Sequence, residues 1–145
     1  MTRFVQRAPY WINRAAFAFR MELQETFSRD GIDVTPEEWA LLMVLTELQP
    51  LSVGELAALT MRDRTTVTRL LDGLERKRLI TKTSDDSDRR RAQVKMTREG
   101  HHLYPRLLNH AEALIRRGTN GIDPAHLTLL QNVLEKMVEN LFRPD

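Results

Sequence analysis

Cysteine is absent from all 145 residues. Its absence excludes a disulfide framework, thiolate chemistry, thiol-based peroxide sensing and any zinc site of the cysteine kind. Long apolar runs are also missing, so the sequence offers no transmembrane span. The opening residues, MTRFVQRAPYW, lack the apolar centre of a secretory signal, and a cytoplasmic location without a membrane partner is expected. No repeat or low-complexity segment interrupts the chain. Histidines stand at His101, His102, His110 and His126, with no His-x3-His pair among them. His102 and His110 lie roughly two helical turns apart, too far to chelate one ion by local spacing. Neither a metal site nor a cofactor is expected.

An apolar share of 41% suits an ordinary folded chain, read as a single domain over residues 1–145. The net charge of +2 hides an uneven distribution. From Met61 to Arg98 there are twelve basic and six acidic residues, a balance of +6; the remainder has ten and fourteen, a balance of −4. A basic block in an otherwise acidic chain suits a polyanionic partner, and equally a well-solvated charged face. Charge alone does not decide between them.

Turn residues divide the chain into six helical stretches and one hairpin: mainly α, with a small β-hairpin. From Pro9 to about Phe27, Ile12, Ala16, Phe19, Leu23 and Phe27 form one helical stripe, which DGIDV ends. Thr35, Pro36 and Glu38 make a capping box for the second helix, and Pro50 stops it. Ser52 and Glu55 start a short third helix in the same way. Asp63, flanked by Arg62 and Arg64, caps a fourth, whose Val67, Leu70, Leu71 and Leu74 recur at i, i+3, i+4 and i+7.

Two short helices joined by a tight turn are the layout of a helix-turn-helix. With its apolar residues inward, the fourth helix turns Thr65, Arg69, Asp72 and Arg76 outward, with Thr66 and Thr68 on the flanks. Threonine and arginine on an exposed face can bond bases and phosphates, although any exposed helix face is polar. The stretch LITKT (79–83), turn-rich SDDSDRR, and RAQVKMT (91–97) follow as a hairpin, which makes the unit a winged helix. A cationic wing tip suits the minor groove, and Asp88 would orient an arginine there.

At this point the sequence resembles the MarR family of bacterial winged-helix regulators, over nearly the whole chain. DRRRAQVKMTREG is similar to the family's wing signature: Asp88, any residue, Arg90, an alternating strand ending in Met96 for the usual leucine, Thr97, and then Gly100. LSVGELAALTMRDRTTVTRLLDGLERKRLI is similar to its helix-turn-helix. The resemblance implies a winged-helix lobe over about 33–98, between dimerisation helices over about 8–30 and 98–142. It implies an obligate homodimer on a pseudo-palindromic double-stranded DNA operator, with Arg90 at the wing tip in the minor groove. The candidate DNA-contacting residues of the basic block are then Arg62, Arg64, Thr65, Thr66, Thr68, Arg69, Arg76, Arg89, Arg90 and Arg91. One departure stands out: Arg78 occupies a position where the family usually has glycine. Either Arg78 accepts a left-handed backbone, at roughly 1 kcal/mol, or the helix ends differently; a phosphate contact is open to it.

In the last helix, opened by Asp123 and Pro124, Leu127, Leu130, Leu134, Met137 and Leu141 form a coiled-coil-like seam. The preceding helix, from Thr97 to about Arg117, offers Leu103, Leu107, Ala111 and Leu114. Such stripes pack within one chain in many all-α domains; the resemblance implies instead that they interlock between subunits, with Ile12 and Phe19 of the first helix. It also implies a small aromatic or phenolic effector in a cleft beside these helices. Trp11, Arg14, Phe17, Trp39 and Met43 are candidate lining groups, with core packing the alternative for each, preferred for Trp39. Outside regulation, Asp85, Asp86 and Asp88 could hold Mg2+ in a nuclease, but they fall on an exposed hairpin tip. A sequence-blind DNA-binding protein or a protein-interaction module built from the stripes completes the alternatives. No enzyme is expected.

Overall fold

The computed structural model describes residues 3–85 and 88–142, the side chains of residues 85 and 88–91 excepted. Its elements run α1 (Ala8–Arg29), α2 (Pro36–Leu48), β1 (Leu51–Ser52), α3 (Val53–Leu59), α4 (Arg64–Arg76), β2 (Ile80–Asp85), β3 (Asp88–Met96), α5 (Arg98–Gly118) and α6 (Pro124–Leu141). They fall into two compact units, Met1–Leu114 and Ile115–Asp145. The architecture is the expected one, six helices with a small antiparallel sheet. The sheet has three strands in the order β1-β3-β2. β1 was not expected, and the wing strands run further toward the tip than the sequence suggested.

Helix starts follow the local chemistry. Thr35 Oγ1 accepts from Glu38 N at 3.1 Å while Glu38 Oε2 accepts from Thr35 N at 3.0 Å. Ser52 and Glu55 repeat this reciprocal pair at α3. Asp63 and Asp123 cap α4 and α6 through backbone amides at 2.8 Å each.

Helix ends are more informative. At α1, Gly31 N donates to Ser28 O and Ile32 N to Phe27 O, and Gly31 has φ 67. This is a Schellman closure with glycine in the left-handed position. α3 and α4 close the same way without glycine. Met61 N and Arg62 N donate to Ala58 O and Ala57 O, with Met61 at φ 53; Arg78 N and Leu79 N donate to Glu75 O and Leu74 O, with Arg78 at φ 61. Arg78 therefore accepts the left-handed backbone. Replacing it with glycine removes a side-chain clash, so Arg78→Gly is expected to stabilise the fold by about 1 kcal/mol and raise the melting temperature by roughly 2–4 °C. Calorimetry reads this directly, and an unchanged or lower value would mean that the turn carries no strain.

The core of the first unit gathers Phe27, Leu41, Leu42, Leu45, Leu56, Leu71, Leu74, Ile80, Val94 and Leu107, all fully buried or nearly so. Leu107 and Leu114 are buried, with Leu103 and Ala111 packed against the same cluster. Leu107 and Leu114 of α5, and Leu23 and Phe27 of α1, are thus covered within one chain. The second unit differs. No residue of α6 is buried.

Where α5 meets the wing, the backbones nearly touch. A Cβ on Gly100 would lie 2.2 Å from Leu79 O. Thr97 locks the junction: its N donates to Leu79 O at 3.0 Å, its hydroxyl donates to Arg78 O at 2.6 Å, and the same oxygen accepts from Gly100 N at 3.0 Å. The run Thr97 to Gly100 is in this way a structural joint.

Candidate nucleic-acid interface

α4 sorts its side chains by face. Val67, Leu70, Leu71 and Leu74 are buried, while Arg64, Thr65, Thr68, Arg69, Asp72 and Arg76 are exposed. Amphipathic spacing dictates this, since residues three and four apart share one side of a helix. Arg62 is half-buried in the α3–α4 turn. Thr66 is half-buried too, and its hydroxyl donates to Asp63 Oδ2 at 2.7 Å. Thr66 thus serves the cap, while Thr65 and Thr68 carry exposed side chains. The Thr66 amide, and then its hydroxyl, hold the Asp63 carboxyl below its ordinary pKa.

A buried carboxylate fixes the helix from behind. Glu38 on α2 is only 5% exposed. Besides its cap bond it accepts from Lys77 Nζ, at the end of α4, at 2.8 Å, and Lys77 also lies 3.4 Å from Asp33 Oδ1. Burial of a charge is tolerable only with such pairing. Gly73 makes room, because a Cβ there would sit 2.7 Å from Glu38 Oε1. Neither Gly73 nor the Glu38–Lys77 pair was singled out from the sequence. A glycine inside a strongly amphipathic helix was the available signal.

The wing strands pair in antiparallel register, Ile80 with Met96, Lys82 with Val94 and Thr83 with Gln93, with a shift between Thr83 and Asp85. β1 adds Leu51 against Val94 on the other edge of β3. Asp88, Arg89, Arg90 and Arg91 lie within β3, and their side chains lie outside the described residues.

The five candidate cleft residues separate. Trp39 is 3% exposed, with ring centroids 5.1 Å from Tyr104 and 6.4 Å from Phe27. It belongs to the core and offers no lining surface. Arg14 and Phe17 share an open groove of about 370 Å³ along α1 with Asn13, Ala18, Met21 and Glu22. The Arg14 guanidinium lies 5.7 Å from the Tyr10 ring and 6.0 Å from that of Trp11, while Trp11 Nε1 donates to Val5 O at 2.9 Å. Met43 is exposed on α2. Tyr10 and Met21, not foreseen, are the neighbours that α-helical spacing gives to Arg14 and Phe17.

Two α5 side chains converge on Asp30 at the end of α1. His110 Nε2 is 2.7 Å and Arg106 Nη2 2.9 Å from Asp30 Oδ2. His110, then Arg106, lower the Asp30 pKa. Among the described residues no cluster of three or more His, Asp or Glu is placed to hold a metal ion, and no helix is long and apolar enough to cross a membrane.

Residues 32–91 match the model of the MarR family. The chain is 23% identical over 132 residues to the transcriptional repressor IacR of Pseudomonas putida, covering 91% of this chain and 78% of that protein. It superimposes on a MarR-family transcriptional regulator from Silicibacter pomeroyi with a TM-score of 0.76 at 28% identity, over 95% of this chain and 91% of that one. Bordetella bronchiseptica BpsR, whose DNA binding is regulated by 6-hydroxynicotinic acid, shares the fold with a TM-score of 0.84 at 22% identity, over 96% and 98% of the chains.

Proposed function

We propose that this chain, which belongs to the MarR family of transcriptional regulators, is a ligand-responsive repressor that binds a pseudo-palindromic DNA operator as a homodimer. The observation that carries the DNA reading is the exposed face of α4. It presents Arg64, Thr65, Thr68, Arg69 and Arg76 beside a hairpin whose strand β3 holds Arg89, Arg90 and Arg91. Arginine and threonine are donors suited to phosphates and base edges, and double-stranded DNA alone offers a helix a wide major groove. Arg90 would enter the minor groove, oriented by Asp88.

The dimer reading is supported by α6. An isolated helix of this length is marginal in water, and its stability comes from covering its apolar face. Yet Leu130 is 52% and Leu141 79% exposed, and Leu127, Leu134 and Met137 are only half-covered. Ile12 and Phe19 on α1 are likewise exposed. A second copy of the same seam would cover them by two-fold symmetry, presenting two copies of α4 about one DNA turn, ~34 Å, apart. For the effector, a small aromatic acid suits the groove along α1. Arg14 can pair with its carboxylate and Phe17 can face its ring.

The test is selection from a random duplex pool at two salt concentrations. Enrichment of an inverted repeat, lost on Arg90→Ala with the melting temperature unchanged, is expected. Weak, salt-erased and sequence-blind binding would overturn the operator reading.

A further inference from the structure

Asp72 is out of place on a surface meant for DNA. It lies on the same exposed side of α4 as Thr65, Arg69 and Arg76, where a free carboxylate would repel phosphate. It is not free. The ammonium of Lys82, on β2, bonds Asp72 Oδ1. Glu75, three residues along α4, accepts from the backbone N–H of the same Lys82 through Oε2 at 3.3 Å. One residue of the wing is therefore held twice, by side chain and by main chain, to α4, which is the recognition helix in the DNA-binding reading.

The position of Lys82 in the wing gives this attachment leverage. Lys82 pairs with Val94 of β3, and Val94 is fully buried. Regular pairing continues only to Thr83 before the register shifts toward Asp85. Lys82 thus sits one residue before the end of the regular ladder, near the arginine-bearing part of β3. Its own side chain is 22% exposed, so the lysine is largely covered rather than extended into solvent.

We propose that Asp72, Lys82 and Glu75 form a brace that sets the angle between the recognition helix and the wing. Asp72 and Lys82 are then positioning residues for the minor-groove contact of Arg90. The inference rests on the DNA-binding reading above. It competes with a simpler one, in which Lys82 touches phosphate itself and Asp72 is merely a repulsive charge. The two differ in sign. Under the simpler reading Asp72→Asn tightens binding; under the brace it weakens binding, because the wing loses its aim.

The experiment measures the affinity of the full chain for its selected duplex, alone and combined with Arg90→Ala. Asp72→Asn and Lys82→Met are each expected to weaken binding about threefold to tenfold, and Lys82→Arg to restore most of the loss. Arg90→Ala should cost less in either background than in the parent, since a wing no longer aimed has less to lose. Melting temperatures should stay near the parent value, which separates positioning from folding. Tighter binding by Asp72→Asn, or Arg90→Ala penalties that simply add, would overturn the brace. Should the parent show no preference for any duplex, the DNA reading falls and takes the brace with it. A parent that binds, with additive penalties, removes the brace alone.

Discussion

Gly100→Ala should lower the melting temperature by about 6–12 °C, corresponding to a loss of about 3 kcal/mol. The added Cβ would sit 2.2 Å from Leu79 O, 3.2 Å from its carbonyl carbon and 3.5 Å from its Cα. All three are backbone atoms, so no side-chain rotation relieves the contact. Leu79 cannot retreat easily either. Its N donates to Leu74 O, its carbonyl accepts from Thr97 N, and its side chain is buried. Relief requires α5 to lift from the start of β2, breaking the Thr97 bonds to Arg78 and Leu79. The exposed neighbour Glu99→Ala is the control, and should change stability by less than about 0.5 kcal/mol. A melting temperature for Gly100→Ala within a degree of the parent would show that α5 and the wing are not joined as described.

Leu130→Glu is expected to leave the chain folded and monomeric, with operator affinity lost. Leu130 is half-exposed on a helix with no buried residue, beside Leu127 and Leu134 in an apolar groove. Within one chain the change therefore removes little. Across a two-fold axis it enters twice, and removing two leucines from a covered seam costs about 3–6 kcal/mol, roughly a hundredfold to ten-thousandfold in dimer affinity. A repressor that grips two half-sites loses most of its operator affinity when it grips only one. Sedimentation with and without duplex reads both effects. A Leu130→Glu chain that stays dimeric would place the interface elsewhere.

Much of this architecture was legible in the sequence because its signals are local. Capping boxes at Thr35 and Ser52, and the caps at Asp63 and Asp123, involve groups within a few residues of one another. The amphipathic face of α4 follows from spacing alone. β1 did not, because two residues carry no period and Leu51–Ser52 become a strand only by pairing with Val94 and Gln93. The left-handed turns at Met61 and Arg78 lacked the glycine that usually announces them. Gly100 was visible as part of a motif, but its reason, the carbonyl of Leu79, lies in another element. At the candidate interface, spacing placed Thr65, Arg69, Asp72 and Arg76 on one face, with Thr66 and Thr68 on its flanks. It could not show that Thr66 turns to Asp63, that Asp72 turns to Lys82, or that Trp39 is consumed by Phe27 and Tyr104. Each of those outcomes depends on a partner that only the folded chain brings near.

The stoichiometry of the protein on its selected duplex, measured by sedimentation, tests the proposed function most directly. Two chains on one inverted repeat, with half-sites about one DNA turn, ~34 Å, apart, is the expected result. A single chain bound per duplex, or no complex that prefers one sequence, would contradict it.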